Sequence, residues 1–319
     1  MGFAILWIIL FHFYKILNPE YLIFPISIGY GGVDVFLFLS GFGIFYSWKK
    51  DNRIGSFYKK RFLRIFPAFA IVVLAKDILT KSLSLATLSK LSMFGLWLPI
   101  PHTYWYISAI MAFYFLFPFY MKFYSKYKEK SLWTMILVGV FMTSIYTFIN
   151  HSDSYRNDVI FFLSRIPIFF IGVTFGRLSV DGLCLNKNKI IMMLVLAIVS
   201  LGILYVTQQL FSYTFLQNTA LNNYPFIFLT PFLCVMLPVI LSKTPIWINR
   251  TLSFLGTISL ELYLIHLLFI TLVGGGFVVD SWIDSILAFF VFLTLCIIAS
   301  WILHMMIRKF MIVCKTVRD

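Results

Sequence analysis

The residues that could do chemistry in this chain are ionisable groups set inside otherwise apolar runs. His12 and Lys15 lie in GFAILWIILFHFYKIL, Asp34 opens GVDVFLFLSGFGI, Arg165 stands beside Pro167 in SRIPIFFIGVTFG, and Glu261 and His266 fall in LSFLGTISLELYLIH. A charged side chain at the centre of a membrane helix costs about 2.5–3.5 kcal/mol on insertion scales, so each is a functional candidate by default. Each also has a plainer reading. His12, Glu261 and His266 would then bond one helix to another, and Lys15 would run its ammonium outward along its own stem. Arg165 must face protein or water and find a partner. Asp34 stands where a helix N-terminus favours negative charge, at the same membrane end as His12, which it could orient. His151 and His304 are read as peripheral.

A second set is basic. Lys49, Lys50, Arg53, Lys59, Lys60, Arg61 and Arg64 crowd the segment before Pro67. Arg61 and Arg64, three residues apart, share a helix face, and guanidinium forks match phosphate oxygens. A phosphate-rich cytoplasmic cosubstrate and simple anchoring on anionic lipid both account for them. Trp105 and Tyr106, in HTYWYISAIMAFYFLFP, suit an interfacial aromatic belt.

The elements that carry these groups are membrane helices. The chain is 61% hydrophobic and 12% charged, with mean hydropathy +0.93, whereas soluble domains carry about 25% charged residues. A bilayer core needs about 20 apolar helical residues. Ten runs approach that length, at 2–17, 31–48, 65–83, 103–121, 132–149, 160–178, 190–210, 225–242, 252–273 and 284–307. They are apolar on all sides, which argues against the alternating strands of a β-barrel. The expected fold is all-α: a polytopic membrane protein of about ten transmembrane helices, in a single domain over 1–319. Residues 80–101 are only semi-apolar and suggest an outer loop with a short surface or re-entrant helix.

A net charge of +14 invites a nucleic-acid reading, but the distribution argues against it. Of 26 Lys and Arg, 20 fall on one side of the expected topology and 3 on the other, while Lys15, Lys76 and Arg165 lie within spans. Such a bias is the positive-inside pattern, so both termini are expected in the cytoplasm and no nucleic-acid partner is implied. The four cysteines are scattered without CxxC spacing, so neither a disulfide nor a metal is expected. The N-terminus lacks a basic leader, and Asn18-Pro19-Glu20 follows the first apolar run where a cleavage site would stand, so no cleaved signal peptide is expected.

Taken together, the motifs resemble the acyltransferase-3 family of integral membrane O-acyltransferases. GFAILWIILFHF is similar to the family's first-helix motif, GVDVFLFLSGFGI to its second-helix signature, and FYKKRFLRIFP to its basic third-helix segment. HTYWYISAIMAFYFLFP resembles the His-x-x-Trp form of the fourth-helix motif, and SRIPIFFIGVTFG and FLGTISLELYLIH match later ones. Two departures stand out. Met1 occupies the place of the first-helix Arg, and the missing cytoplasmic flank points to a start further upstream. The fourth-helix Glu is absent, with Ile110 and Met111 in its region, as expected for the His-x-x-Trp subgroup. No esterase-like extra domain is expected after the tenth run.

The resemblance implies a multi-pass protein of the cell (plasma or inner) membrane. It would transfer an acyl group, usually acetyl, from cytoplasmic acyl-CoA to a hydroxyl of a cell-surface or lipid-linked glycan. An imidazole of unperturbed pKa about 6.5 suits a general base at neutral pH, and His12 is expected in that role with Asp34 orienting it. Arg61 and Arg64, with Lys60, would grip the CoA phosphates. Arg165, Trp105 and Tyr106 are the candidates for stabilising the oxyanion. No metal is called for, and Ser40 in LSGF is too apolar in setting to be a nucleophile. Two alternatives stay open: a non-enzymatic transporter, from which the missing inverted repeat argues away, and an inactive family member, which Met1 keeps in view.

Overall fold

The computed structural model describes residues 1–16, 23–93, 103–149, 157–182, 185–210, 222–273 and 281–316. His102, His151 and Cys184 lie outside them. Among the described residues all regular structure is helical. In chain order the helices are α1 (Gly2–Ile16), α2 (Phe24–Ser27), α3 (Gly32–Lys50), α4 (Ile54–Leu79), α5 (Leu85–Leu91), α6 (Trp105–Tyr127) and α7 (Glu129–Ile149). They continue with α8 (Asn157–Leu163), α9 (Ile166–Val180), α10 (Lys187–Leu210), α11 (Phe226–Leu241), α12 (Ile246–Thr257), α13 (Ser259–Val273) and α14 (Trp282–Thr316). In lipid every backbone N–H and C=O must be satisfied within the chain, and these Leu-, Ile- and Phe-rich segments do so locally.

Each of the ten apolar runs overlaps a helix. Six described helical segments are long and apolar enough to cross a membrane, and seven if α12 and α13 form one bent span. The shortfall from ten has physical causes. With 15 residues, α1 rises roughly 22 Å, against a hydrocarbon core of about 30 Å, and α11 has only 16 residues. The 26 residues of α4 are long enough, but their first half carries Lys59, Lys60, Arg61 and Arg64.

Two runs expected as single helices are broken. The run 252–273 bends by 73° between α12 and α13, where the hydroxyls of Thr257 and Ser259 donate to the carbonyls of Ser253 and Gly256. The run 160–178 breaks at Ser164-Arg165. Proline 167 has no N–H to give and its ring collides with the carbonyl four residues back, so the helix restarts as α9 with Pro167 in its first turn.

The chain divides into two compact units. One comprises 1–32, 60–94 and 245–319; the other comprises 33–59 and 95–244. In the first, the glycine-rich turn lies directly on α1: a Cβ on Gly29 would stand 2.6 Å from the Trp7 carbonyl, and one on Gly32 2.6 Å from that of Ala4. Gly2 meets the Leu252 carbonyl of α12 in the same way. In the second unit, a Cβ on Gly41 would collide with the Phe169 carbonyl and one on Gly172 with that of Phe38. Small residues thus let α3 and α9 approach backbone to backbone, as membrane helices do.

The expected outer loop contains α5, tied back to α4 through the fully buried Asp77. Lys90 Nζ lies 2.8 Å from both Asp77 oxygens, and Thr87 Oγ1 donates to Oδ2 at 2.6 Å.

Candidate active site

In the first unit, His12 stands on the last turn but one of α1, between Phe11, 5.2 Å away ring to ring, and His266 of α13, also at 5.2 Å. Its Nδ1 is 3.0 Å from His266 Nε2, and the 23° tilt between the rings suits a meeting edge to edge through that bond. His266 is fully buried; its other nitrogen, Nδ1, lies 2.9 Å from the Leu262 carbonyl one turn earlier on α13, and the Tyr263 ring packs edge-on against it. The close packing of Gly29 and Gly32 on α1, with the Tyr30 ring edge-on to Phe11 at 5.5 Å, fixes the segment that presents His12. Lys15 is exposed and holds its ammonium 5.1 Å over the Phe11 ring, one turn back on α1.

The same unit holds a second polar pair. His304 Nδ1 of α14 lies 2.8 Å from Glu261 Oε1, with Glu261 nearly buried. His304 is therefore not peripheral; it anchors α14 to the start of α13. On α4 of this unit, Lys60 and Arg64 are exposed and Arg61 is half-buried, one to two turns before Pro67. That arrangement leaves Arg64 and Lys60 accessible to an anionic ligand or to lipid headgroups.

In the second unit, Asp34 falls in the first turn of α3 and Arg165 at the N-cap of α9. Their side chains are 0% and 2% exposed. Arg165 Nη2 donates to Asp34 Oδ2 at 3.3 Å, and Nε stands 3.1 Å from Oδ1, out of line for a hydrogen bond. Nη1 donates to the Phe161 carbonyl at 3.1 Å, an acceptor placed within reach by the break before Pro167. The guanidinium carbon lies 5.2 Å over the Trp105 ring and 5.7 Å over Phe161, distances at which a cation is drawn to an aromatic face. Tyr106 is buried beside Phe36 and Trp105.

The structure thus joins Asp34, Arg165 and Trp105 around one ion pair, with Tyr106 adjoining, and it joins His12 to His266. The partner recorded for the Asp34 carboxylate is Arg165, and for the His12 ring it is His266. Sequence reasoning singled out His266 as a helix-bonding residue but had no signal linking it to His12, 254 residues away. A basic group it passed over is Arg177 of α9. Its guanidinium contacts Glu129 at 2.5 Å and Asp181 at 3.4 Å and covers the Tyr124 ring at 5.4 Å, beside a recess of about 170 Å³ lined by Phe45, Tyr120 and Thr174.

These features define a class: a helical, multi-pass membrane protein whose apolar interior holds a histidine pair and a buried Asp–Arg pair. Comparison with known proteins then gives the family, for residues 2–305 match the acyltransferase domain of the acyltransferase-3 family, and the chain belongs to it. It is also similar to Acyltransferase MdmB from Streptomyces mycarofaciens, with 29% identity over 124 residues. That match covers 34% of this chain and 32% of the relative, so the chain aligns with about a third of the relative's length. No solved structure matches it.

Proposed function

We propose that this membrane acyltransferase moves an acyl group, acetyl in the first instance, from cytoplasmic acyl-CoA to a hydroxyl of a cell-surface or lipid-linked glycan. The observation that carries the reading is an imidazole, that of His12, held by ring contacts and one nitrogen inside a chain of acyltransferase family. As the acceptor oxygen attacks the thioester carbonyl, His12 takes its proton and the new C–O bond forms. The tetrahedral intermediate then collapses, the C–S bond breaks, and the proton passes to the leaving CoA sulfur. Such a step needs no enzyme nucleophile, and a positioned base contributes about 10²–10⁴-fold.

Lys60, Arg61 and Arg64 bind the CoA phosphates in this reading, supported by their helical spacing and by the exposure of Lys60 and Arg64. Asp34 and Arg165 serve to hold α3 against α9, because each neutralises the other out of contact with water; Trp105 and Tyr106 wall that pair. The 20-to-3 distribution of Lys and Arg supports ten spans with both termini cytoplasmic, in a plasma or inner membrane.

The test is transfer of labelled acetyl from acetyl-CoA in membranes of the producing cells. His12→Ala is expected to abolish transfer at normal expression, and retained transfer removes His12 from the role of base.

A further inference from the structure

We infer that His266 is a positioning residue that holds His12 in one tautomer and one orientation, so that the reactive lone pair is on His12 Nε2. The inference deepens the reading of His12 as the base and rests on it.

A carbonyl only accepts, so at the Leu262 carbonyl, 2.9 Å from His266 Nδ1, it is His266 that donates. His266 is wholly buried, and no carboxylate is recorded against it among the described residues. A charge without a counter-charge is costly there, so the ring is neutral. A neutral imidazole with its proton on Nδ1 has only an acceptor at Nε2. The 3.0 Å contact between His266 Nε2 and His12 Nδ1 must then be donated by His12. That donation uses the one proton of a neutral His12 and leaves its Nε2 with the lone pair. An imidazole free in solution spends part of its time with the proton on either nitrogen; this one is restricted to the form that can accept a proton at Nε2.

The direction of the chain is set at its buried end. Leu262 and His266 are one turn apart on α13, so helix geometry alone brings the carbonyl to Nδ1. Tyr263 stands edge-on to the His266 ring at 5.6 Å, and Phe11 flanks the His12 ring at 5.2 Å, which restricts rotation of both. A structural helix-to-helix bond would be served by either polarity; a base acting at His12 Nε2 requires this one. When His12 takes the acceptor's proton at Nε2, its Nδ1–H still donates to His266 Nε2, so the imidazolium keeps a partner during the transfer step. No atom of His266 changes its bonding in that step.

The test compares three variants by the rate of labelled acetyl transfer at saturating acetyl-CoA, per mole of enzyme, together with the KM for acetyl-CoA. His266→Leu keeps the bulk and removes the acceptor; it is expected to lower the maximal rate about 10²-fold, the lower end of what a positioned base contributes, with KM within about twofold. His266→Gln presents a carbonyl oxygen near the place of Nε2 and is expected to restore the rate to within about tenfold of the parent. His12→Ala is run beside them. A His266→Leu rate equal to the parent's, with His12→Ala inactive, overturns this inference and leaves His12 as the base; an active His12→Ala overturns both. If His266→Leu does not fold, the comparison of His266→Gln with the shorter His266→Asn decides. The Asn side chain falls short of His12, so its rate is expected to be lower, and equal rates contradict the inference.

Discussion

In the unit that carries α1 and α13, two imidazoles share a hydrogen bond whose far end rests on a helix carbonyl, and among the described residues no bond is recorded at the other nitrogen of His12. In the unit that carries α3 and α9, Asp34 and Arg165 cancel each other's charge, and the guanidinium is further occupied by the Phe161 carbonyl and the faces of two aromatic rings. Both sites put polar groups where lipid-facing helices cannot satisfy them, yet the outcomes differ. The ion pair sets each charge against the other, and in the reading proposed above it is a fastener. The histidine pair, as inferred above, is neutral and asymmetric, and an open end is what a proton-transfer step requires. In the proposed reading charge alone is a poor guide to where the chemistry lies, because the buried charges of Asp34 and Arg165 are set against each other.

If the ion pair is a fastener, the largest effect on stability follows from breaking it. Removing one member of a buried pair strands the other's charge, at about 3–5 kcal/mol, so Arg165→Ala or Asp34→Ala should sharply lower the melting temperature and the yield in detergent. Replacing both together, as Asp34→Leu with Arg165→Met, should recover most of that loss; a double variant as unstable as the single ones would show that the charges serve something besides packing. Next in size is the helix contact beneath the pair. Gly172→Ala drives a Cβ into the Phe38 carbonyl, and overpacking of that kind costs about 1–3 kcal/mol, read in the same melt. Unchanged stability would mean that α3 and α9 separate more easily than their close approach suggests.

Smaller effects sharpen the other side of the comparison. Arg61→Ala with Arg64→Ala should weaken acetyl-CoA binding to membranes by about tenfold, or 1.4 kcal/mol; an unaltered affinity reassigns both to lipid headgroups. The smallest expected change is that of His304→Ala. It removes one hydrogen bond from a partly exposed pair and should cost about 0.5–1.5 kcal/mol without altering the maximal transfer rate. A rate loss there would extend the chemistry from His266 toward Glu261.

Much of the fold was legible in the sequence, because hydropathy is local: each of the ten apolar runs overlaps a helix. The breaks were less so. Pro167 was visible and carried the physical reason for ending α8, whereas nothing as direct as a proline marks the bend at Ile258. Within the site, the sequence identified which residues needed partners but not who those partners were. Asp34 was matched to His12 from their shared membrane end, whereas its carboxylate meets Arg165, 131 residues on. The intramembrane cost of Arg165 demanded an acid, and Asp34 was available to be named. His304 was passed over because a histidine near the end of a long helix gives no sign of the Glu261 it bonds from α14.

The assignment of the chemistry to His12 is tested most directly by His12→Asn, with transfer rate and melting temperature measured on the same preparation. An Asn amide can still donate toward His266 in place of Nδ1–H, but it has no basic nitrogen. The account predicts a transfer rate lower by about 10²–10⁴-fold with the melting temperature within a few degrees of the parent's. Transfer at the parental rate in a well-folded His12→Asn protein would contradict it.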